Sequence, residues 1–234
     1  MSPNAPLFTA LSKLPHFDPR TAAVAGFDTH LPPVRMEALM PQALRARFAA
    51  PPAWQPEITV ERAWTAQPLA HASVLVSIVG RDKPAVILTE RTTHLSTHSG
   101  QVAFPGGKRD DSDTDAAHTA LREAHEEIGL EHRFVSVIGE MPTYTTGSQF
   151  IITPVIALVR PDHALKLNAY EVADAFEVPL EFLMNPAHHR RHVLELEGYR
   201  REWFSMPYMD GTTERFIWGA TAAMLRNLYR FLAA

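Results

Sequence analysis

Apolar and polar positions follow two rhythms along this chain, and each change of rhythm marks out an element. Runs rich in Val, Ile, Phe and Thr at residues 73–79, 85–89, 101–104, 134–140 and 150–159 predict β-strands. Residues 193–199 and 201–206 predict a hairpin. Between these runs a helical rhythm appears at Ala117, Ala120, Leu121, Ala124 and Ile128, which predicts a helix capped by Asp113 or Asp115 with one buried stripe. Residues 219–231 repeat that rhythm, with Thr221, Met224, Leu225, Leu228 and Phe231 facing inward. Residues 1–68 differ, because Pro and Ala dominate and the pairs Pro32-Pro33 and Pro51-Pro52 break a helical pattern around residues 36–48. They are expected to form an N-terminal extension, partly helical and packed on the domain or a partner copy, while residues 69–234 form a single domain. No internal repeat is visible. Mixed strands with helices on both faces predict an α/β fold, an α/β/α sandwich around a mixed β-sheet.

The first of these predicted helices, the one that reaches Ile128, carries an unusual charge pattern. Glu123, Glu126 and Glu127 stand at i, i+3 and i+4, so they lie side by side on a face flanking the apolar stripe. Gly129 supplies the left-handed residue that commonly ends a helix, which puts the three acids at the negative end of its dipole. Acids there cost about 0.3–1 kcal/mol each, and like-charged neighbours add a few tenths of a kcal/mol per pair. Arg122 offsets part of this. His118 and His125 project from another side and read as solvated. An ordinary solvated acidic face would also account for three Glu on a helix. The segment upstream favours a second reading: a strand at 101–104, the rigid Pro105 and then Gly106-Gly107, whose carbonyls can reach a metal. Carboxylates beside free carbonyls suit Mg²⁺ or Mn²⁺, since hard cations prefer oxygen ligands. The Gly pair is no Walker loop, because Lys108 and Arg109 follow Gly107 with no Ser or Thr.

Arg122-Glu123-Ala124-His125-Glu126-Glu127-Ile128-Gly129-Leu130 resembles the core of the Nudix box, in which Arg-Glu, an apolar residue, any residue, Glu-Glu, any residue, Gly and an apolar residue follow in order. Ahead of this core the general pattern is displaced by one, since its glycine position falls on Lys108 and its acidic position on Thr114. That displacement is similar to one subgroup, the coenzyme A pyrophosphatases, whose loop of two glycines and two spaced aspartates matches Gly106, Gly107, Asp110 and Asp113. Leu88-Thr89-Glu90-Arg91-Thr92, leading to Gly100-Gln101-Val102-Ala103-Phe104-Pro105-Gly106-Gly107, resembles the extra motif of that subgroup, with His98 standing where some members have Arg. Weaker similarity covers residues 171–183 and 217–225.

The resemblance implies the sandwich fold and the hydrolysis of a diphosphate. It implies Mg²⁺ or Mn²⁺ on Glu123, Glu126 and Glu127 with the Gly107 carbonyl, and Arg122 orienting those carboxylates. Arg91, Gly106 and Gly107 would contact substrate, although Arg91 also reads as a strand-end residue in a salt bridge. The general base stays open between Glu127 and Glu171. At subgroup level the expected reaction cleaves coenzyme A or a derivative to 3',5'-ADP and 4'-phosphopantetheine. Alternatives are another nucleoside diphosphate derivative, such as ADP-ribose, a dinucleotide or a damaged nucleotide, and a non-catalytic nucleotide sensor. Intact carboxylates argue against the sensor.

Composition narrows the partners. A length of 234 residues with 46% hydrophobic content allows one substantial core, and a formal charge of -4 provides no basic field for a nucleic acid. The expected partner is a small nucleoside diphosphate, with no nucleic acid and no membrane, and a homodimer stays open. No Cys is present, the first residues lack a basic-then-apolar leader pattern, and no run approaches membrane-spanning length, so a cytoplasmic location is expected. Two further clusters read as structural: His188 to His192 as a solvated loop, and Trp203, Phe204 and Tyr208 as core aromatics.

Overall fold

A computed structural model describes residues 17–93, 100–196 and 199–234. Two strands form its centre. β2 (Ala70–Val79) and β8 (Phe150–Val159) run parallel over their whole length, from Ala70 opposite Phe150 to Val79 opposite Val159. Their C-terminal halves are apolar on both sides apart from the buried Ser77, as a strand covered on two faces requires. Around them an eight-stranded mixed sheet is completed by β3 (Ala85–Arg91), β4 (Val102–Ala103), β5 (Gly106–Lys108), β6 (Val135–Glu140), β7 (Tyr144–Thr145) and β9 (Val172–Pro179).

Side chains alternate across this sheet, so one strand feeds two cores. Leu75, Val79 and Ile87 face α3 (Ala116–Ile128), where Ala120, Ala124 and Ile128 are buried. Val76, Ile78, Val86 and Leu88 belong to the larger core with Leu225, Leu228 and Phe231 of α5 (Gly219–Leu232). The result is the expected α/β/α arrangement. A second, four-stranded antiparallel sheet lies against α5, in the order β1 (Val24–Phe27), β10 (Arg190–Leu196), β11 (Tyr199–Asp210) and β12 (Thr213–Trp218). Among the described residues no helix is long and apolar enough to cross a membrane.

Several expectations need correction. The helical pattern near residue 40 divides into α1 (Met36–Leu39) and α2 (Pro41–Ala49), because Met40 precedes a proline and takes an extended conformation with ψ at 147°. Gly106 and Gly107 form a strand rather than a turn, pairing with Val74 and Ser73. A side chain at Gly106 would place its Cβ 2.6 Å from the Val74 Cα, so glycine is required for this close approach. The histidine run is not a solvated loop. His189 and His192 are buried, with His189 paired to the Leu183 carbonyl at 2.8 Å and His192 to Ser205 Oγ at 2.8 Å. Burial pushes the His189 pKa down to about 4, so this ring is neutral at pH 7. His192 stacks on Trp203, which is buried as expected along with Phe204.

The segment before residue 69 contributes to the main core through Val34, Leu39 and Leu44. It also supplies Asp28 and Glu57 to a buried ion-pair group. Arg226 on α5 is 1% exposed and meets Glu57 Oε2 at 2.6 Å and Asp28 Oδ2 at 2.9 Å, while Arg191 on β10 reaches the same two carboxylates at 2.6 and 2.8 Å. Removing one member of a buried group leaves its partners desolvated and unmatched. We expect Arg226→Ala to lower unfolding free energy by about 3–5 kcal/mol, against less than about 0.5 kcal/mol for the exposed Arg133→Ala. Urea titration of both variants at neutral pH is the measurement, and similar losses in the two would show that the buried group contributes no more than a surface pair.

Candidate active site

Helix α3 is held at both ends by its own sequence. Asp115 caps its start by accepting from the His118 N–H at 2.8 Å, and Gly129 ends it with φ at 66°. The exposed carbonyls of the last turn are met from outside: Lys166 N–H donates to the Ile128 carbonyl at 2.8 Å and Asn168 N–H to that of Glu127 at 2.9 Å. The segment carrying Glu171 is thereby fastened to the acidic end of the helix.

Arg122 organises the carboxylates. Its Nε and Nη2 grip Asp113 bidentately at 3.0 and 2.8 Å, its Nη1 reaches Glu123 Oε1 at 2.9 Å and Glu126 Oε2 at 3.2 Å, and Nη2 also donates to the Lys108 carbonyl at 3.1 Å. Asp113 was noticed in the sequence only as part of a loop pattern and a possible cap. It is a buried anchor whose carboxyl is held well below the usual range, chiefly by Arg122. His118 is not fully solvated either, since its ring lies 3.6 Å from Asp113. His125 is exposed as expected.

The three glutamates sit in three environments. Glu126 is the most exposed. Glu123 lies against Gly107, where an added Cβ would come within 2.5 Å of the carboxylate carbon. Glu127 does not flank the buried face but belongs to it, with its side chain 5% exposed. It accepts from the Gly106 N–H at 3.1 Å and lies 3.4 Å from Arg91 Nη1. Burial raises its pKa to about 7, with the charges of Glu123 and Glu171 adding to that effect against Gly106 and Arg91. Burial likewise raises Glu123. Glu171 accepts from Asn168 Nδ2 at 3.3 Å, and its carbonyl receives the Thr92 N–H at 3.0 Å.

Arg91 ends strand β3 beside Glu127, and its buried Nε has no hydrogen-bond partner among the described residues. It opens into a cavity of about 720 Å³ that runs between the two sheets. Gly106, Gly107 and Lys108 border this cavity, as do Trp64, Trp203 and Trp218. Thus Arg91, Gly106, Gly107, Arg122 and the three glutamates converge on one region. His98 lies outside the described residues.

A family model described as NUDIX domain matches residues 69–204. The Nudix hydrolase NudL of Shigella flexneri serotype 5b, itself described as uncharacterized, is 38% identical over 164 residues, which cover 69% of this chain and 83% of that protein. NudL of Escherichia coli strain K12 is 39% identical over 158 residues, or 68% of this chain and 80% of that one. This chain belongs to the Nudix family. It is accordingly a hydrolase of the pyrophosphatase class, acting on a nucleoside diphosphate derivative with a divalent metal ion. Among solved structures, a C. elegans Ap4A hydrolase binary complex overlaps it with a TM-score of 0.41 at 18% identity, covering 51% of this chain and 86% of that chain.

The Nudix carboxylates suit such an ion in chemistry. All the donors are hard oxygens, and burial disfavours the charge of two of the carboxyls, Glu123 and Glu127, which a cation would offset. No three acidic or imidazole groups among the described residues form a closed ligand cluster, because Arg122 Nη1 stands between Glu123 and Glu126.

Two predictions follow from this geometry. In metal-free protein the folded state raises the Glu127 pKa from 4.5 to about 7, so the fold favours the protonated acid. Stability is therefore complete below the lower value and falls as pH climbs to the upper one, by about 3 kcal/mol in all. Glu127→Gln lacks that contribution, so denaturant titrations in chelator at about pH 4 and about pH 8 should show a smaller decline in the variant. Parallel declines would place the buried charge elsewhere. For the glycines, Gly107→Ala meets only the flexible end of Glu123 and should stay folded while losing most metal-dependent turnover, whereas Gly106→Ala meets backbone and should lower stability by at least about 2 kcal/mol. Equal thermal stability of the two variants would contradict the assignment.

Proposed function

We propose that this Nudix enzyme hydrolyses the diphosphate bond of coenzyme A or its derivatives, using Mg²⁺ or Mn²⁺, to give 3',5'-ADP and (acyl-)4'-phosphopantetheine. One observation carries the reading. Arg91, from the extra motif that resembles the coenzyme A pyrophosphatases, approaches Glu127 of the Nudix box at the cavity, with an unmatched Nε. A motif that served only the fold would have no reason to bring a cation to that carboxylate and leave a donor unsatisfied.

In this reading Glu123, Glu126 and Glu127, with the Gly107 carbonyl, hold the metal. When bound, it supplies positive charge that neutralises the diphosphate oxygens and makes a water easier to deprotonate. Arg122 fixes the carboxylates, since all its N–H groups are committed and none is free for substrate. Arg91 has a planar fork suited to a phosphate, and gains a better partner there than the long contact to Glu127. Glu127 and Glu171 are the groups placed to accept a proton from the attacking water, Glu127 through its raised affinity for protons and Glu171 through its position in the adjoining segment. We also propose a cytoplasmic location, which accords with a chain that has no Cys.

The test is product analysis by mass spectrometry after incubating the protein with Mg²⁺ or Mn²⁺ and coenzyme A, acyl-coenzyme A, ADP-ribose, NADH or nucleoside triphosphates. Paired 3',5'-ADP and 4'-phosphopantetheine are expected, and preferential cleavage of another compound would discard the substrate while keeping the chemistry. Glu127→Gln should lower kcat by about a thousandfold or more. Arg91→Ala should lower kcat/KM by about 10- to 100-fold through substrate capture, and an unchanged value would return Arg91 to a purely structural ion pair.

A further inference from the structure

Outside the Nudix box, the same cavity holds a cation that the site described above does not use. Arg201, on β11, lines it with the guanidinium carbon 5.2 Å from the Trp64 ring centre. Among the described residues the Arg201 side chain makes no hydrogen bond and no ion pair, its backbone alone pairing with Leu194 of β10. Its neighbours are already matched. Arg200 is paired with Glu202 at 2.6 Å, and the carboxylate of Glu61 receives the Tyr144 hydroxyl at 2.7 Å and the Gly147 N–H at 3.0 Å. Arg62 borders the cavity as well. A half-buried guanidinium stacked on an indole, with its donors free, is a preorganised anion receptor.

Sheet pairing locates it relative to the box. Lys108 of β5 pairs with Ala72, Ala72 with Ile152, and Ile152 with Tyr144, and Thr145 bridges to Val60. Four strand spacings of roughly 4.8 Å thus separate β5 from the segment holding Trp64 by up to about 19 Å along the sheet. Trp64 is fixed there by its N–H on the Gly147 carbonyl at 2.9 Å. Arg91 and Arg201 both line this one cavity, so one elongated nucleotide can engage both.

We propose that Arg201, seated on Trp64, is a second anion subsite that takes a phosphate carried on the substrate's ribose, separate from the diphosphate held near Arg91. This deepens the coenzyme A reading and rests on it, since coenzyme A bears such a phosphate. It makes Arg201 a determinant of specificity: a nucleotide with the ribose phosphate is selected over one without.

Binding can be measured without turnover, by titration calorimetry of the whole chain with 3',5'-ADP and with AMP. Wild type should bind 3',5'-ADP at least about tenfold more tightly than AMP, the scale of one charge-assisted, two-point contact. Arg201→Ala and Arg201→Gln should bring the two affinities together by weakening 3',5'-ADP alone, with AMP unchanged and the melting temperature preserved. Arg201→Lys, which keeps charge without the fork, should fall between. Equal affinities in wild type, or a preference that survives in both neutral variants, would overturn the subsite. Coenzyme A hydrolysis run beside it separates the two readings: no cleavage with the preference intact refutes the substrate and leaves the subsite standing, while cleavage without any preference does the reverse.

Discussion

The guanidinium of Arg122 is the constraint on which the site depends. Its donors go to Asp113, Glu123, Glu126 and the Lys108 carbonyl, so one planar group ties the end of β5 and the loop before α3 to two acids of that helix. Asp113 must be buried and ionised for this to work, and the bidentate contact makes that affordable. The arrangement leaves Glu127 out. Packed on the inner face of the helix, it has among the described residues one backbone N–H and a distant Arg91 to meet its charge. Solvated acidic faces show no such division. Here one acid is exposed, one is pressed on a glycine and one is buried, which concentrates negative charge where the cavity begins.

The cavity lies between the two sheets, and ionic contacts fix the segment that forms part of its wall. Apolar packing joins α5 to both sheets, since Leu225 and Leu228 share one core with Ile78 and Leu88 of the larger sheet and Met206 and Ile217 of the smaller. Arg191 and Arg226 add a polar clamp by sharing Asp28 and Glu57 between β10, α5 and the segment before residue 69. Charged pairs of this kind add little net free energy over an apolar replacement, but they tolerate few alternative arrangements. That selectivity matters because the segment before residue 69 carries Trp64 and Glu61 to the cavity wall.

The sequence made the regular parts legible for physical reasons. α3 and α5 have strong helical periodicity, and β2, β3 and β8 are apolar runs that read the same way in any context. The grouping of Arg122 with the glutamates could also be read, because neighbours on a helix are fixed by its pitch. Other elements escaped. β1, β9 and β12 are short or mixed in polarity, and each becomes a strand through pairing with a distant segment. Gly106 and Gly107 look like a turn by composition but pair as a strand with Val74 and Ser73, and at Gly106 that backbone leaves no room for a side chain. A run of basic residues resembles a solvated loop, but His192 lies on β10 with its ring against Trp203, and His189 ends the turn before that strand with its ring on the Leu183 carbonyl. The meeting of Arg201 with Trp64, far apart in the chain, left no local trace.

Charge balance connects the two ends of the cavity. At the acidic end, Arg91 is the nearest mobile cation to Glu127, and each is poorly served by the other across 3.4 Å. Arg91 can leave for a phosphate only if Glu127 gains a proton or meets positive charge from another source, because an unmatched carboxylate at that depth is disfavoured by burial. In the proposed reading, substrate capture and the filling of the carboxylate site are coupled through Glu127, and neither is fully favourable alone. At the other end no such exchange is needed. Arg201 has no carboxylate to give up, and Trp64 already holds its plane, so an anion there is met by a receptor that need not rearrange. A site built with one coupled cation and one free one favours ligands that carry negative charge at both places, which is a stricter demand than the Nudix box alone imposes.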